Sequence, residues 1–395
     1  MTELRVRLHA LLSSLANNLA SPFVAFNVTS SGGSDLLIGY VQAISTLASS
    51  ITQLIGGRIA DRLSKRLALA MLFSGVMGTL WLLTSLVTAT TVLAVAYTAI
   101  TLSLGFYAAG WSSFLGEASE GGRRGAFLAN FAQLGSYGAL IALLITTAIT
   151  AVNPSYAILD ALAGVVFVVS ALMLRGMKER PVVQRSLDGL GTARMRRYYA
   201  VTGFYGFFWG FGWPLFTITT VKIVNMSLFE YSVAQVIAVA ATIGFQPLVG
   251  RLVDRDRRRW VFWGRMGLVA YPIAYMVIGA SWEIYALNVF SGFTNALLNI
   301  AFAAYLFDIS PVGRRGRYGA EFNLVTGVTT MTGSLFAAFL LTSVNSFLGL
   351  WESLAILYVV ATGGRALAAL FHLWLPTNID PMPHGDKDFT PLKVV

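Results

Sequence analysis

Long apolar runs separated by short polar stretches set the rhythm of this chain. Each run is about 20 residues, the length that carries an α-helix across ~30 Å of hydrocarbon. Six such segments, Leu8–Val28, Leu36–Ile59, Leu67–Val87, Val92–Leu115, Ala126–Ala148 and Ala157–Leu174, precede a polar stretch. Six more follow it: Tyr198–Val221, Tyr231–Val253, Trp260–Gly279, Ile284–Phe307, Tyr318–Leu341 and Leu350–Leu375. Transmembrane strands would alternate over ~10 residues, whereas these runs are longer and apolar on every side. The pattern predicts an all-α membrane protein with twelve transmembrane helices; the break between the third and fourth is the faintest.

Composition agrees with the pattern. Of 395 residues 56% are hydrophobic and only 12% are charged, about half the charge of a soluble domain. The net charge of +10 raises nucleic acid as a partner, and its distribution excludes one. Of 28 Lys and Arg, 25 fall in the termini and in, or at the very edge of, every second connection, with Lys222 alone in the other connections and Arg265 and Arg365 deeper inside apolar segments. That alternation is the positive-inside pattern. It predicts a multi-pass protein of the cell (plasma) membrane with both termini cytoplasmic. The basic, apolar opening resembles a signal peptide, but the alternation needs it as a retained first span. With no cysteine and three scattered histidines (His9, His372, His384), the sequence offers no thiolate chemistry and no metal-ligand spacing, and it calls for no cofactor. No nucleophile–base pair stands at helical spacing, so an enzyme is not expected.

The chain also repeats itself. "GGRIADRLSKR" (Gly56 to Arg66) returns as "VGRLVDRDRRR" (Val249 to Arg259), with Gly57, Arg58, Asp61 and Arg62 matching Gly250, Arg251, Asp254 and Arg255 at an offset of 193. Gln42 matches Gln235 at the same offset, Pro22 matches Pro214 at 192, and "EASEGGRRG" (Glu117–Gly125) matches "DISPVGRRG" (Asp308–Gly316) at 191. Ordered features at nearly constant offset indicate duplication of a six-span unit. An even number of spans per repeat makes the two copies parallel. The expected organisation is a six-helix bundle over 1–174, a basic cytoplasmic linker over 175–197, a second bundle over 198–375 and a cytoplasmic tail over 376–395.

The phrase from Gly57 to Arg66, lying between the second and third spans, resembles the loop signature of the major facilitator superfamily, with Ser64 where a glycine is usual. Glu117 and Arg124, with six residues between them after span four, resemble that family's acid–x6–Arg pattern, and Asp308 and Arg315 repeat it after span ten. The resemblance covers residues 5–375. It implies the major facilitator fold of two pseudo-symmetric six-helix bundles, which rock to expose a site alternately to each side. It also implies a cytoplasmic latch. Asp61 would face a helix N-terminus, where the macrodipole favours an anion. Arg62 and Arg124 would share Glu117, and Arg255 and Arg315 would share Asp308, with Asp254 echoing Asp61. Gly57 and Gly250 would permit close helix approach. For Lys65, Arg66 and Arg257 to Arg259 the simpler role of setting orientation is favoured.

Uncharged polar and aromatic groups in mid-span are the candidate solute contacts, because hydrocarbon offers them no water. In the first half these are Asn17, Asn18, Gln42, Tyr107, Trp111, Asn130, Gln133 and Tyr137. In the second half they are Tyr205, Trp209 and Trp213 at i, i+4, i+8, with Gln235, Asn295, Asn299, Asn323 and Arg365. Each amide weighs against a role as interhelical glue, each ring against packing, and Arg365 between snorkelling to the cytoplasm and an anion site. No Asp or Glu stands mid-span in helices one, two, four, five, seven or eight. Proton coupling through a buried carboxyl is therefore less favoured than facilitated or weakly ion-coupled movement. The expected partner set is a small-molecule substrate, the lipid bilayer and a coupled proton or other ion, with the protein a monomer. The leading reading is a secondary transporter of a small neutral or amphipathic organic solute. The alternatives are a proton-driven efflux antiporter using Glu321 or Asp160 and a non-transporting solute sensor.

Overall fold

The computed structural model describes residues 2–63, 66–118, 124–177, 193–255, 257–309 and 315–375. Among them are fourteen α-helices and no strand. In chain order these are α1 (Thr2–Ala20), α2 (Val24–Ser30), α3 (Asp35–Leu63), α4 (Arg66–Thr84), α5 (Thr90–Ala118), α6 (Arg124–Val152) and α7 (Tyr156–Met173). Beyond the linker come α8 (Ala193–Ile218), α9 (Leu228–Arg255), α10 (Arg257–Gly267), α11 (Ala270–Tyr275), α12 (Ser281–Ile309), α13 (Arg315–Asn345) and α14 (Leu350–Phe371). Two spans are each made of two helices, α1 with α2 and α10 with α11, so the fourteen helices form the twelve expected spans. Seven described helices are long and apolar enough on their own to cross a membrane.

Proline accounts for the interruptions. In the first span a 3₁₀ turn, Ser21–Phe23, separates α1 from α2 around Pro22, which cannot donate to the carbonyl of Asn18. Pro214, its counterpart in the second half, stays inside α8, and a π-helical turn, Thr219–Ile223, follows that helix. In the ninth span Pro272 lies in the first turn of α11, directly after the break. Several helices run past the expected ends: α3, α9 and α12 continue into the charged phrases, because nothing polar stops a helix once it leaves hydrocarbon.

The described residues form two compact units, one holding 2–23 and 48–177, the other 24–47 and 193–375. In the first, α1 packs on α6 and α7, while α4 packs on α5 and α7. In the second, α8 packs on α13 and α14, while α10 packs on α12 and α14. Counted by span, both units pair first with fifth, first with sixth, third with fourth and third with sixth, so the duplication read from sequence is repeated in the packing. The second unit also pairs α9 with α12 and takes in α2, which packs on α8 and on the π turn. Small residues let the helices meet. A Cβ on Gly333 would strike the Phe207 carbonyl, one on Gly210 the Thr330 carbonyl, and one on Gly138 the Leu11 carbonyl. Large apolar side chains such as Val95, Val152, Leu172, Val277 and Phe339 are exposed on the outside, as lipid-facing positions should be.

Candidate functional site

In the first unit the polar centre is a buried network across α1, α5 and α7. His9 is wholly buried, with Nδ1 2.9 Å from the Ser170 carbonyl and 2.8 Å from its Oγ, and Nε2 3.1 Å from the Tyr107 hydroxyl. A carbonyl only accepts, so Nδ1 carries a proton. The Tyr107 hydroxyl also reaches Ser13 Oγ at 2.9 Å, and Trp111 packs edge-on to the imidazole at 4.7 Å. Every polar atom here is answered by another, the condition hydrocarbon imposes. Tyr107 and Trp111 were expected from sequence; His9, Ser13 and Ser170 were not. Of these His9 alone, a histidine inside an apolar segment, left a signal in the sequence.

The other candidates of this unit lie apart from that network. Asn18 Nδ2 donates to the Ser14 carbonyl at 2.8 Å, and Ser14 Oγ donates to the Gly135 carbonyl at 2.6 Å, joining α1 to α6. Asn17 is half-buried beside the proline turn. Asn130, Gln133 and Tyr137 are exposed on α6, with Gln133 Nε2 donating to the Tyr137 hydroxyl at 2.7 Å. Asp160 of α7 is only 7% exposed, and its carboxyl meets the Thr84 hydroxyl.

The second unit is built around the aromatic stripe of α8. Tyr205, Trp209 and Trp213 follow one another on one face with ring centroids 6.2 Å apart at each step. Tyr205 is wholly buried, with the Arg265 guanidinium carbon 3.8 Å above its ring and His372 edge-on at 5.8 Å. Trp209 and Trp213 are half-buried. Arg365 does not snorkel. It is 1% exposed, and its Nε, Nη1 and Nη2 donate to the carbonyls of Phe208 (3.1 Å), Leu268 (3.2 Å) and Trp209 (3.0 Å). Its guanidinium carbon also lies 5.3 Å from the Trp209 ring and 5.1 Å from Phe216. A membrane-buried cation is thus held by carbonyl dipoles and ring faces. Gly212 and Gly364 leave the room: a Cβ on either would meet Arg365 or Phe208.

This unit also contains segments of the first half. Gln42 of α3 donates to the Thr217 hydroxyl of α8, and Ser334 Oγ of α13 donates to the Gly39 carbonyl at 2.7 Å. Asp35, at the start of α3, pairs with Lys222 at 3.4 Å, and Phe26 of α2 stacks on Tyr231 at 4.5 Å. Gln42 and Thr217 therefore stand beside Trp213, whose carbonyl Thr217 also approaches at 3.4 Å. Asn295 Nδ2 donates to Ser291 Oγ at 3.0 Å within α12. Gln235 is half-buried on α9, and Asn323 is exposed on α13. Asn288 acts as glue, donating to the Ala234 carbonyl at 2.8 Å and accepting from Tyr271 at 2.6 Å. Glu321 accepts from the Tyr199 hydroxyl at 3.1 Å.

The latch residues fall at helix ends: Asp61 and Arg62 close α3, Glu117 ends α5, Asp254 and Arg255 close α9, Asp308 ends α12, and Arg124 and Arg315 open α6 and α13. Their side chains, and that of Asn299, lie outside the described residues. A Cβ on Gly57 or Gly250 would have no described atom within 4 Å. Among the described residues no group of His, Asp and Glu could hold a metal ion.

No curated protein matches the sequence. Solved structures resemble it along nearly its whole length. A nucleoside transporter, NupG, matches with a TM-score of 0.71 at 9% identity, over 95% of this chain and 100% of that one. A bacterial homologue of the human lysosomal transporter Spinster, inward-facing and occupied, matches with 0.75 at 11% identity, over 94% and 95%. A D-xylose–proton symporter matches with 0.70 at 15% identity, over 95% and 97%. The family model described as Major Facilitator Superfamily matches residues 198–392. With that match the second half of the chain belongs to the major facilitator superfamily, and the chain shares the fold of these transporters from end to end.

Proposed function

We propose that this secondary transporter, working by alternating access, moves a small neutral or amphipathic organic solute across the plasma membrane. It rocks two six-helix bundles as a monomer with both termini in the cytoplasm. The observation that carries the solute class is how the two membrane-buried arginines are used. Arg365 is spent on three backbone carbonyls and Arg265 on the face of Tyr205. What remains for a solute is amides, hydroxyls and rings: Gln42, Thr217, Trp209 and Trp213 in one unit, and Asn17, Gln133 and Tyr137 in the other. Such groups suit hydrogen bonding and stacking rather than charge pairing.

The test is a thermal-shift screen of purified protein against sugars, nucleosides, amino acids, organic acids and lipophilic cations. Uptake of the hits into proteoliposomes, with and without a pH gradient, follows. Stabilisation by uncharged compounds, with flux down their own gradient, is expected. Stabilisation by cations alone, with flux tied to protons, overturns the reading. That second outcome is the one the buried carboxyl of Asp160 favours, and it would be lost in Asp160→Asn.

A further inference from the structure

We infer that Arg365 is a positioning residue that replaces, from the twelfth span, a hydrogen-bond donor that proline removes from the ninth, and that the same guanidinium fixes the backbone under the aromatic stripe of the seventh.

In an unbroken helix the carbonyl of Leu268 would accept from the amide of residue 272. Residue 272 is Pro, which has no N–H. The helix duly breaks between α10 and α11, and among the described residues the backbone donor left to the Leu268 carbonyl is Tyr271 N, at a long 3.4 Å. In a soluble protein water would satisfy that oxygen; within the bilayer a protein group must. Arg365 Nη1 does so at 3.2 Å, from a residue that is 1% exposed.

The other two donors go to a different helix. Nε and Nη2 reach Phe208 and Trp209, consecutive carbonyls of α8, with the guanidinium carbon 5.3 Å from the Trp209 ring. A planar fork with donors along one edge suits this task, which a lysine's point charge does not. One side chain therefore ties the proline break of span nine to the backbone that aims Trp209. The neighbouring sequence fits the role. Gly212 and Gly364 keep the guanidinium and Phe208 free of Cβ atoms, and Tyr205 accepts Arg265 on its ring face while donating to the Arg265 carbonyl at 3.4 Å. The break keeps its bend without an unsatisfied carbonyl. The inference holds whichever solute is carried.

The test compares Arg365→Gln, Arg365→Lys, Pro272→Ala and Arg365→Gln/Pro272→Ala by local amide hydrogen exchange in detergent, with melting curves to confirm folding. Arg365→Gln should speed exchange about tenfold over residues 268–276 and at the amides of 212 and 213, which bond the Phe208 and Trp209 carbonyls. Arg365→Lys should lie between it and the wild type. Pro272→Ala supplies the missing N–H. The double variant should therefore regain protection over 268–276 while 212 and 213 stay fast. A side chain that merely fills space would give no such selective rescue. Additive effects in the double variant, or unchanged exchange in Arg365→Gln, overturn the inference.

Discussion

At the scale of single residues, buried polar side chains at the centre of each unit are held by hydrogen bonds with other buried groups. The His9 network is the clearest case. Tyr107→Phe removes one hydroxyl that touches both His9 and Ser13, and should destabilise the first unit by about 1 kcal/mol. His9→Ala also empties a ring-sized space beside Trp111 and should cost about 2–4 kcal/mol. Melting of the purified variants orders them; equal stability of His9→Ala and wild type would contradict the network. Adjacent glycines give a second comparison. A methyl on Gly364 falls on the Phe208 ring, whereas one on Gly363 meets nothing within 4 Å. Gly364→Ala should therefore lower stability by about 1–3 kcal/mol and Gly363→Ala should leave melting unchanged. Sequence pointed to Tyr107, Trp111 and Arg365 because each is unusual in a greasy segment. It could not assign their partners. Ser13 and Ser170 are too common in membrane helices to stand out, and a backbone carbonyl such as that of Leu268 leaves no mark of its own in a sequence.

At the scale of elements, the apolar runs located every span, and the errors gather at the ends. Hydropathy marks where a helix leaves lipid and says nothing of where it stops, so α3, α9 and α12 continue past their apolar runs into charge. The joint in the first span is explained by Pro22, which stood out in the sequence only as a match to Pro214. The one in the ninth is explained by Pro272, a residue that many unbroken transmembrane helices also carry. The contact of α3 with α8 and α13 was not legible, because it joins segments about 180 to 300 residues apart through small groups. There Gly39 approaches Ser334 and Ala338 too closely for a side chain, a Cβ falling 2.7 Å from Ala338 Cβ. Gly39→Val should prise α3 from α13. Because the chain has no cysteine, one placed at Leu36 reports the separation through its rate of maleimide labelling, which should rise. The Asp35–Lys222 pair, partly exposed, contributes only ~0.2–1 kcal/mol. Lys222→Glu should speed labelling by at most about fivefold, and Asp35→Lys/Lys222→Glu should restore it.

At the scale of the whole molecule, duplication was the most legible property. It was written in the offsets of Asp61 and Asp254, Glu117 and Asp308, and it reappears as the same helix pairings in both units. Which neighbours a given segment keeps is another matter: 24–47 groups with the second unit, and a grouping of that kind belongs to one conformation rather than to the sequence. The family resemblance of the paired charged phrases implies a part in changes of conformation, and that can be tested. Neutralising one acid should weaken the closed cytoplasmic side, so Asp61→Asn is expected to raise the reactivity of a cytoplasm-facing single cysteine and slow transport. Unchanged reactivity would leave the phrase a topology signal only.

The joint at Ser21–Phe23 has an engineering consequence. Upstream of it α1 is registered by His9 and Ser14; downstream α2 is registered by Phe26 on Tyr231. A helix turns about 100° per residue, so inserting a single alanine after Phe23 would swing Phe26 away from its stacking partner while every bond made by α1 survived. The two pieces of one span can thus be dialled separately, which makes this three-residue turn the place to graft a rotation sensor or a photoswitchable linker.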